Sequence, residues 1–137
     1  MRLSWIVIPL CCKGGAASGS FTFDTVTQTY SDINIATSTS NGTLNTYDAV
    51  ALEQGASGLI VVSSASPPSP GQGEIGGPPF MQFLWQTPLS DVIPLTRSFQ
   101  SGTPGGTNAL GLECQGVSAS ENCLEFRQLA IGGTLTG

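Results

Sequence analysis

A chain of 137 residues with 9% charged side chains, no histidine and a formal charge of −5 suits one domain and excludes several functions. Its four basic residues, Arg2, Lys13, Arg97 and Arg127, are scattered, so no cationic surface exists for a phosphate backbone or an anionic lipid headgroup. Nucleic acid is not an expected partner, and the commonest general base at neutral pH is missing.

In chain order, the first apolar run is LSWIVIPLCC behind Met1 and Arg2. Ten residues are too few to cross a bilayer as a helix, which takes about 20, so no membrane insertion is expected of this chain. Two readings remain for residues 1–17. One is a signal peptide with a small-residue site near Gly15-Ala16-Ala17. The other is a buried strand around Trp5, Ile6, Val7 and Ile8, with Lys13-Gly14-Gly15 as its exit turn.

The next stretch, SGSFTFDTVTQTYSDINI, reads as a hairpin. Phe21 and Phe23 alternate with Ser20 and Thr22, and Ile33 and Ile35 alternate with Asp32 and Asn34. The expected register sets Phe21 opposite Ile33, Phe23 opposite Ser31, Thr22 opposite Asp32, Ser20 opposite Asn34 and Gly19 opposite Ile35. One face is then apolar and the other wet. Thr25 to Thr29 form the loop, with the Asp24 carboxylate accepting backbone N–H groups at its start.

Asn41-Gly42 is a turn pair, and with Thr43 it matches the glycosylation sequon. LNTYDAVALEQG follows, its tail fitting a helical turn or a strand equally poorly. Leu59 to Val62 is a buried strand by composition. Residues 66–79, SPPSPGQGEIGGPP, hold five prolines and four glycines and cannot form a ladder or a helix, so they are expected as a long surface loop. Phe80 to Trp85 belongs in the core. Leu95, Arg97 and Phe99 share one parity, which places Arg97 at a strand rim. Leu124 and Phe126 alternate with Glu125 and Arg127; the parity reverses at Leu129 and Ile131, as a bulge near Gln128 would make it.

These elements add up to an all-β, antiparallel β-sandwich or open barrel of about seven to eight short strands with little helix, a single domain over 1–137. Cys114 and Cys123 bracket the polar segment QGVSASEN, and a disulfide there would close a short loop between strand-like runs, stabilising by about 2–3 kcal/mol. Such a bridge implies an oxidising compartment. A zinc site is disfavoured, because histidine is absent and adjacent Cys11 and Cys12 do not follow paired-ligand spacing.

Chemistry is sparse. No GxSxG elbow, SxxK or phosphate-cradling loop occurs, no calcium repeat is dense enough, and no cofactor is expected. Asp24, Asp32, Asp48, Glu53, Glu74, Asp91, Glu113, Glu121 and Glu125 offer carboxylates for glycoside hydrolysis, but nothing in their spacing selects a pair. Tyr30 and Tyr47 are candidates for stacking on a sugar; Trp5 and Trp85 are read as core. Carbohydrate binding and carboxylate-based glycoside chemistry are therefore the alternatives to a non-enzymatic structural protein.

GGAASGSFTFDTVTQTYSDINIATST, together with the close CLEFRQLAIGGTLTG, resembles the two ends of a domain found in bacterial extracytoplasmic proteins of the PEP-CTERM sorting group. The likeness covers both ends; residues 44 to 111 match only in their turn-rich character. In that group strand residues with a tryptophan commonly precede the glycine pair, which favours the strand reading of residues 3–10. The resemblance implies a bacterial secreted or cell-surface protein, associated with the envelope or extracellular polysaccharide. It also implies a longer parent, with a signal upstream and a Pro-Glu-Pro motif and anchor beyond Gly137. It brings no catalytic residues.

Overall fold

In a computed structural model the described residues are 2–9, 15–39, 41–65, 78–85, 87–90, 96–98, 109–115, 126–128 and 134–137; for 2–9, 96–98, 109, 126, 134 and 135 only the strand course is given. Among these residues eleven strands form, eight of at least five residues and three of three residues: β1 (Arg2–Pro9), β2 (Ala16–Asp24), β3 (Thr29–Thr39), β4 (Gly42–Tyr47), β5 (Ala49–Glu53), β6 (Gly58–Val62), β7 (Phe80–Trp85), β8 (Thr96–Ser98), β9 (Ala109–Cys114), β10 (Phe126–Gln128) and β11 (Thr134–Thr136). They build a six-stranded sheet, β4-β3-β2-β1-β11-β8, and a five-stranded sheet, β10-β9-β7-β6-β5. Every named pairing is antiparallel. The architecture is a two-sheet sandwich, and the segment with two readings at its start is the interior strand β1.

Period-two placement of apolar side chains explains the layering. From the first sheet, Phe21, Phe23, Tyr30, Ile33, Ile35 and Tyr47 turn inward. From the second come Leu59, Val61, Met81, Phe83 and Trp85. Aromatic rings dominate the contact. Phe21 meets Tyr30 edge-on at 5.5 Å and lies 6.0 Å from Trp85, which stacks on Phe83 at 5.6 Å. Full burial of each such side chain contributes about 1.5–3 kcal/mol. All five residues of β6 are buried, because Ile60 and Val62 join Phe80 and Cys114 in a second cluster on the other face of the five-stranded sheet.

The hairpin β2–β3 keeps the expected register at one end and departs from it at the other. Gly19 faces Ile35 and Ser20 faces Asn34, as the alternation predicts. Beyond them Thr22 faces Ser31 and Phe23 faces Tyr30, one residue off the expectation. The cause is a bulge: Asp32 and Ile33 together oppose Phe21, and Asp32 takes a left-handed φ of 51°. The bulge reconciles two parities on β3, burying Tyr30 and Ile33 on one face although they are an odd number of residues apart. The turn is Thr25–Gln28, with Thr29 already paired to Asp24. Asp24 Oδ1 accepts the N–H groups of Val26 at 2.8 Å and Thr27 at 3.0 Å.

The ambiguous stretch after Asn41-Gly42 is mostly strand and holds no helical turn. β4 and β5 are separated by Asp48 alone, so the chain steps directly from one sheet to the other. β6 and β7, which flank the Pro/Gly-rich segment, pair with each other from Gly58 opposite Leu84 to Val62 opposite Phe80. That segment therefore joins two strands of one hairpin, though residues 66–77 lie outside the described set. So do Phe99, Leu124, Leu129 and Ile131, and with them the bulge expected near Gln128.

Asp32 provides a test of the register. A left-handed conformation costs an ordinary residue about 1–2 kcal/mol and a β-branched one at least as much. Asp32→Val is expected to lower unfolding stability by about that amount in urea titration, whereas Asp32→Gly should be neutral or stabilising. Equal stability of the two variants would show that the strand pairs without the bulge.

Candidate functional site

The densest polar chemistry among the described residues lies inside the sandwich. Glu113 on β9 is 0% exposed and Arg127, its cross-strand neighbour on β10, is 2% exposed. Their side chains pair directly: Arg127 donates from Nη2 and, at 2.9 Å, from Nε to Glu113 Oε2. Gln115 Nε2 donates to the same oxygen at 2.7 Å. From the opposite sheet, Thr37 Oγ1 and Tyr47 OH each donate to Oε1 at 2.5 Å, and Asn45 Nδ2 donates at 3.0 Å. Arg127 spends its remaining arm on the Ser38 carbonyl, with Nη1 donating at 2.8 Å. One carboxylate thus joins β3 and β4 of the first sheet to β9 and β10 of the second.

Strand register explains how these residues meet. Thr37 pairs with Asn45, and the inward parity continues two residues on at Tyr47. Glu113 sits beside Met81 and Arg127 on the inward face of its own sheet. Gly15 admits the arginine. At φ +101° it passes so close that an added Cβ would lie 1.9 Å from the Ser38 carbonyl oxygen and 2.9 Å from Arg127 Nη1.

Burial pushes the Glu113 carboxyl up, but hydrogen bonds from Thr37, Tyr47, Asn45 and Arg127 outweigh it and hold the carboxyl below its ordinary range. Burial, with the Glu113 charge and hydrogen bond adding to it, drives the Tyr47 hydroxyl the other way, far above its ordinary value. Every acceptor position of the carboxylate is occupied, since an ionised carboxylate offers about four lone-pair sites and six donors converge here. The arrangement is suited to bracing and offers no vacant oxygen for proton transfer.

A second tie stands at the Tyr30 end. Tyr30 OH donates to the Gly55 carbonyl at 2.7 Å and accepts from Trp85 Nε1 at 3.1 Å. The Tyr30 N–H donates to Glu53 Oε1 at 2.7 Å. Burial above all, with the Glu53 charge adding to it, pushes the Tyr30 hydroxyl up to about 12.

Two expectations are corrected by these positions. Tyr30 and Tyr47, the candidates for sugar stacking, are both core residues whose hydroxyls are committed to inter-sheet bonds, so neither offers a ring face to a ligand. Their rings follow the inward parity of Phe23 and Ile35, the neighbours across the ladder. Arg127, expected on the polar side of an alternation with Phe126, points inward. It carries the parity of Leu129 and Ile131, and the buried carboxylate is what makes that position tolerable for a cation. Trp85 is core as expected.

The remaining described carboxylates have local roles. Asp24 caps its turn, and backbone N–H groups of Thr27 and Val26 hold it below the ordinary range. Asp48 accepts Ser64 N at 2.7 Å and Ser64 Oγ at 2.7 Å, which hold it low in the same way. Asp32 accepts Ser31 Oγ at 3.4 Å. Glu74, Asp91, Glu121 and Glu125 lie outside the described residues. Among the described residues no three Asp, Glu or Cys side chains gather as a metal site, and no helix is long and apolar enough to cross a membrane. Cys114 is buried and disulfide-bonded; Cys11, Cys12 and Cys123 are outside the described set.

The fold and this cluster define an antiparallel β-sandwich braced by a buried ion pair and carrying a disulfide at one strand end. No protein-family model, curated protein or solved structure matches the chain.

Two measurements check the brace. Arg127→Met leaves a buried carboxylate without its cation and is expected to lower stability by about 3–5 kcal/mol in chemical denaturation. A loss below about 1 kcal/mol would mean that the pair is solvated. The second is a pH titration. The lowered Glu113 value contributes stability above its unfolded value near 4.5, lost as pH falls through the folded value. The raised Tyr30 value contributes stability below the unfolded value of 10, lost as pH rises toward about 12, and the raised Tyr47 value acts in the same direction. Both of the chain's tyrosines are buried, so no tyrosinate absorbance should develop near pH 10, and its later rise should coincide with loss of the β-sheet circular dichroism signal.

Proposed function

We propose that this chain is a non-enzymatic, disulfide-assisted β-sandwich acting as a structural component outside the bacterial cytoplasm, at the cell surface or in the extracellular matrix. The observation that carries the reading is the use made of its chemistry. Glu113, Arg127, Tyr30 and Tyr47 are all spent on cross-bracing two sheets, and Cys114 is oxidised. Disulfides persist mainly in oxidising compartments. The resemblance of residues 14–39 and 123–137 to extracytoplasmic proteins of the PEP-CTERM group supports the same placement.

A glycoside-active enzyme would need two carboxylates facing across a cleft about 5–10 Å apart. A polysaccharide-binding module would need aromatic faces exposed together. Among the described residues the hydrogen-bonded carboxylates serve turns and braces, and Tyr30, Tyr47 and Trp85 are buried.

The test begins with the disulfide. Protein exported to an oxidising compartment should yield a non-reduced peptide joining Cys114 to Cys123, and reduction should lower its melting temperature without abolishing the fold. Both thiols open to alkylation in the exported protein would remove the compartmental argument. Glycan-array binding that survives substitution of exposed polar residues but tracks a specific sugar would overturn the structural role in favour of a binding module.

A further inference from the structure

We infer that β4 is a docking edge for a second copy of this chain, the two β4 strands pairing antiparallel about a two-fold axis. Leu44 of each copy then enters the recess beside β4 of the other. The inference rests on edge geometry and stands whatever compartment the protein occupies.

An unpaired strand edge is a template for another strand, and natural proteins guard such edges with short length, charge, proline or cover. Among the described residues the two sheets end in four edge strands: β4 and β8 in one, β5 and β10 in the other. Three are guarded. β8 and β10 are three residues long, β8 carries Arg97, and β5 ends in Glu53. β4 is the longest of the four, six residues reading GTLNTY without charge or proline and with one bulge at Leu44. Its ladder to β3 is its one backbone pairing among the described residues.

The same strand carries a protruding group and a recess. Leu44, displaced by the register shift between Asn45 and Thr43, is 45% exposed. Val26, in the β2–β3 turn, is the other exposed large apolar side chain among the described residues. Beside β4 lies a recess of about 240 Å³ lined by Leu44, Asn45, Thr46, Tyr47, Ser63 and Pro79. This volume has room for one branched aliphatic side chain. A two-fold interface requires one patch to be complementary to itself, and a knob and a hole on one strand meet that condition.

Antiparallel pairing also suits the charges and the chemistry. It sets the start of one β4 against the end of the other, so Leu44 approaches the partner strand where Thr46 and Tyr47 line the recess. The two Asp48 carboxylates fall at opposite ends of the pair, and threonines rather than like charges face across the new ladder. Asn45 gives both amide hydrogens away, to Glu113 at 3.0 Å and to Gln115 Oε1 at 3.0 Å.

Sedimentation equilibrium of the full chain from ~1 μM to ~500 μM, the range of moderate protein affinities, tests the inference. A reversible monomer–dimer equilibrium is expected. Leu44→Lys should weaken it at least tenfold with an unchanged thermal melt, and Val26→Lys should leave it as in the parent chain. If Leu44→Lys lowers the melt, Leu44→Ser replaces it with the same expected loss of dimer. A monomer across the whole range, equal dimerisation in the Leu44 and Val26 variants, or open-ended polymerisation would each overturn the two-fold β4 pairing.

Discussion

The structure turns on a buried negative charge. Glu113 sits between two sheets, fully shielded from solvent, a situation that costs several kcal/mol unless charge and hydrogen bonds compensate. Compensation comes from both sides: Arg127 and Gln115 from its own sheet, Thr37, Asn45 and Tyr47 from the other. An apolar core can slide by a residue at modest cost, because one oily contact replaces another. A carboxylate requiring six donors cannot. Any shift of β3 or β4 against β9 would take the donors Thr37, Asn45 and Tyr47 from a buried carboxylate, so the cluster sets the relative position of the sheets more sharply than the aromatic core does.

The aromatic layer and the polar cluster divide the interior between them. Phe21, Phe23, Phe83 and Trp85 fill the Tyr30 side, where Trp85 and Gly55 satisfy the one buried hydroxyl. Past Ile35, inward positions on β3 and β4 become Thr37, Asn45 and Tyr47, and the facing sheet supplies Glu113. The two tyrosines serve both layers, packing their rings in the apolar part while directing their hydroxyls to polar partners.

Much of this organisation was legible in the residues, and the limits of legibility have physical causes. Alternation located β2 and β3 and the inward set Phe21, Phe23, Ile33 and Ile35, because half-buried strands leave a period of two; composition marked β6 as a buried strand and put the residues of β7 in the core. It did not locate the bulge at Asp32. Aspartate in a strand reads as an ordinary outward residue, and the sign that could have pointed to a shift was Tyr30, aromatic yet out of phase with Ile33. Nor did it find the ion pair. Glu113 lies between Leu112 and Cys114, and Arg127 beside Phe126; taken singly, each looks like a solvated member of an alternating run. The available clue was mutual. In a chain with four basic residues, a glutamate and an arginine each interrupting an apolar stretch can share one buried site only as a pair.

The brace has a consequence for the strand at the end of its sheet. Edge strands ordinarily fray, since they are held on one side only. β4 is held on two, by its ladder to β3 and by Asn45 and Tyr47 reaching across to Glu113. A frayed edge makes a poor template, because an incoming strand must first order it at the entropic cost of every residue fixed. An edge already ordered from beneath imposes no such cost. Thus the interaction that aligns the two sheets also presents β4 as a rigid, uncharged ladder at the surface, and internal stability and a capacity for association through this edge share one origin.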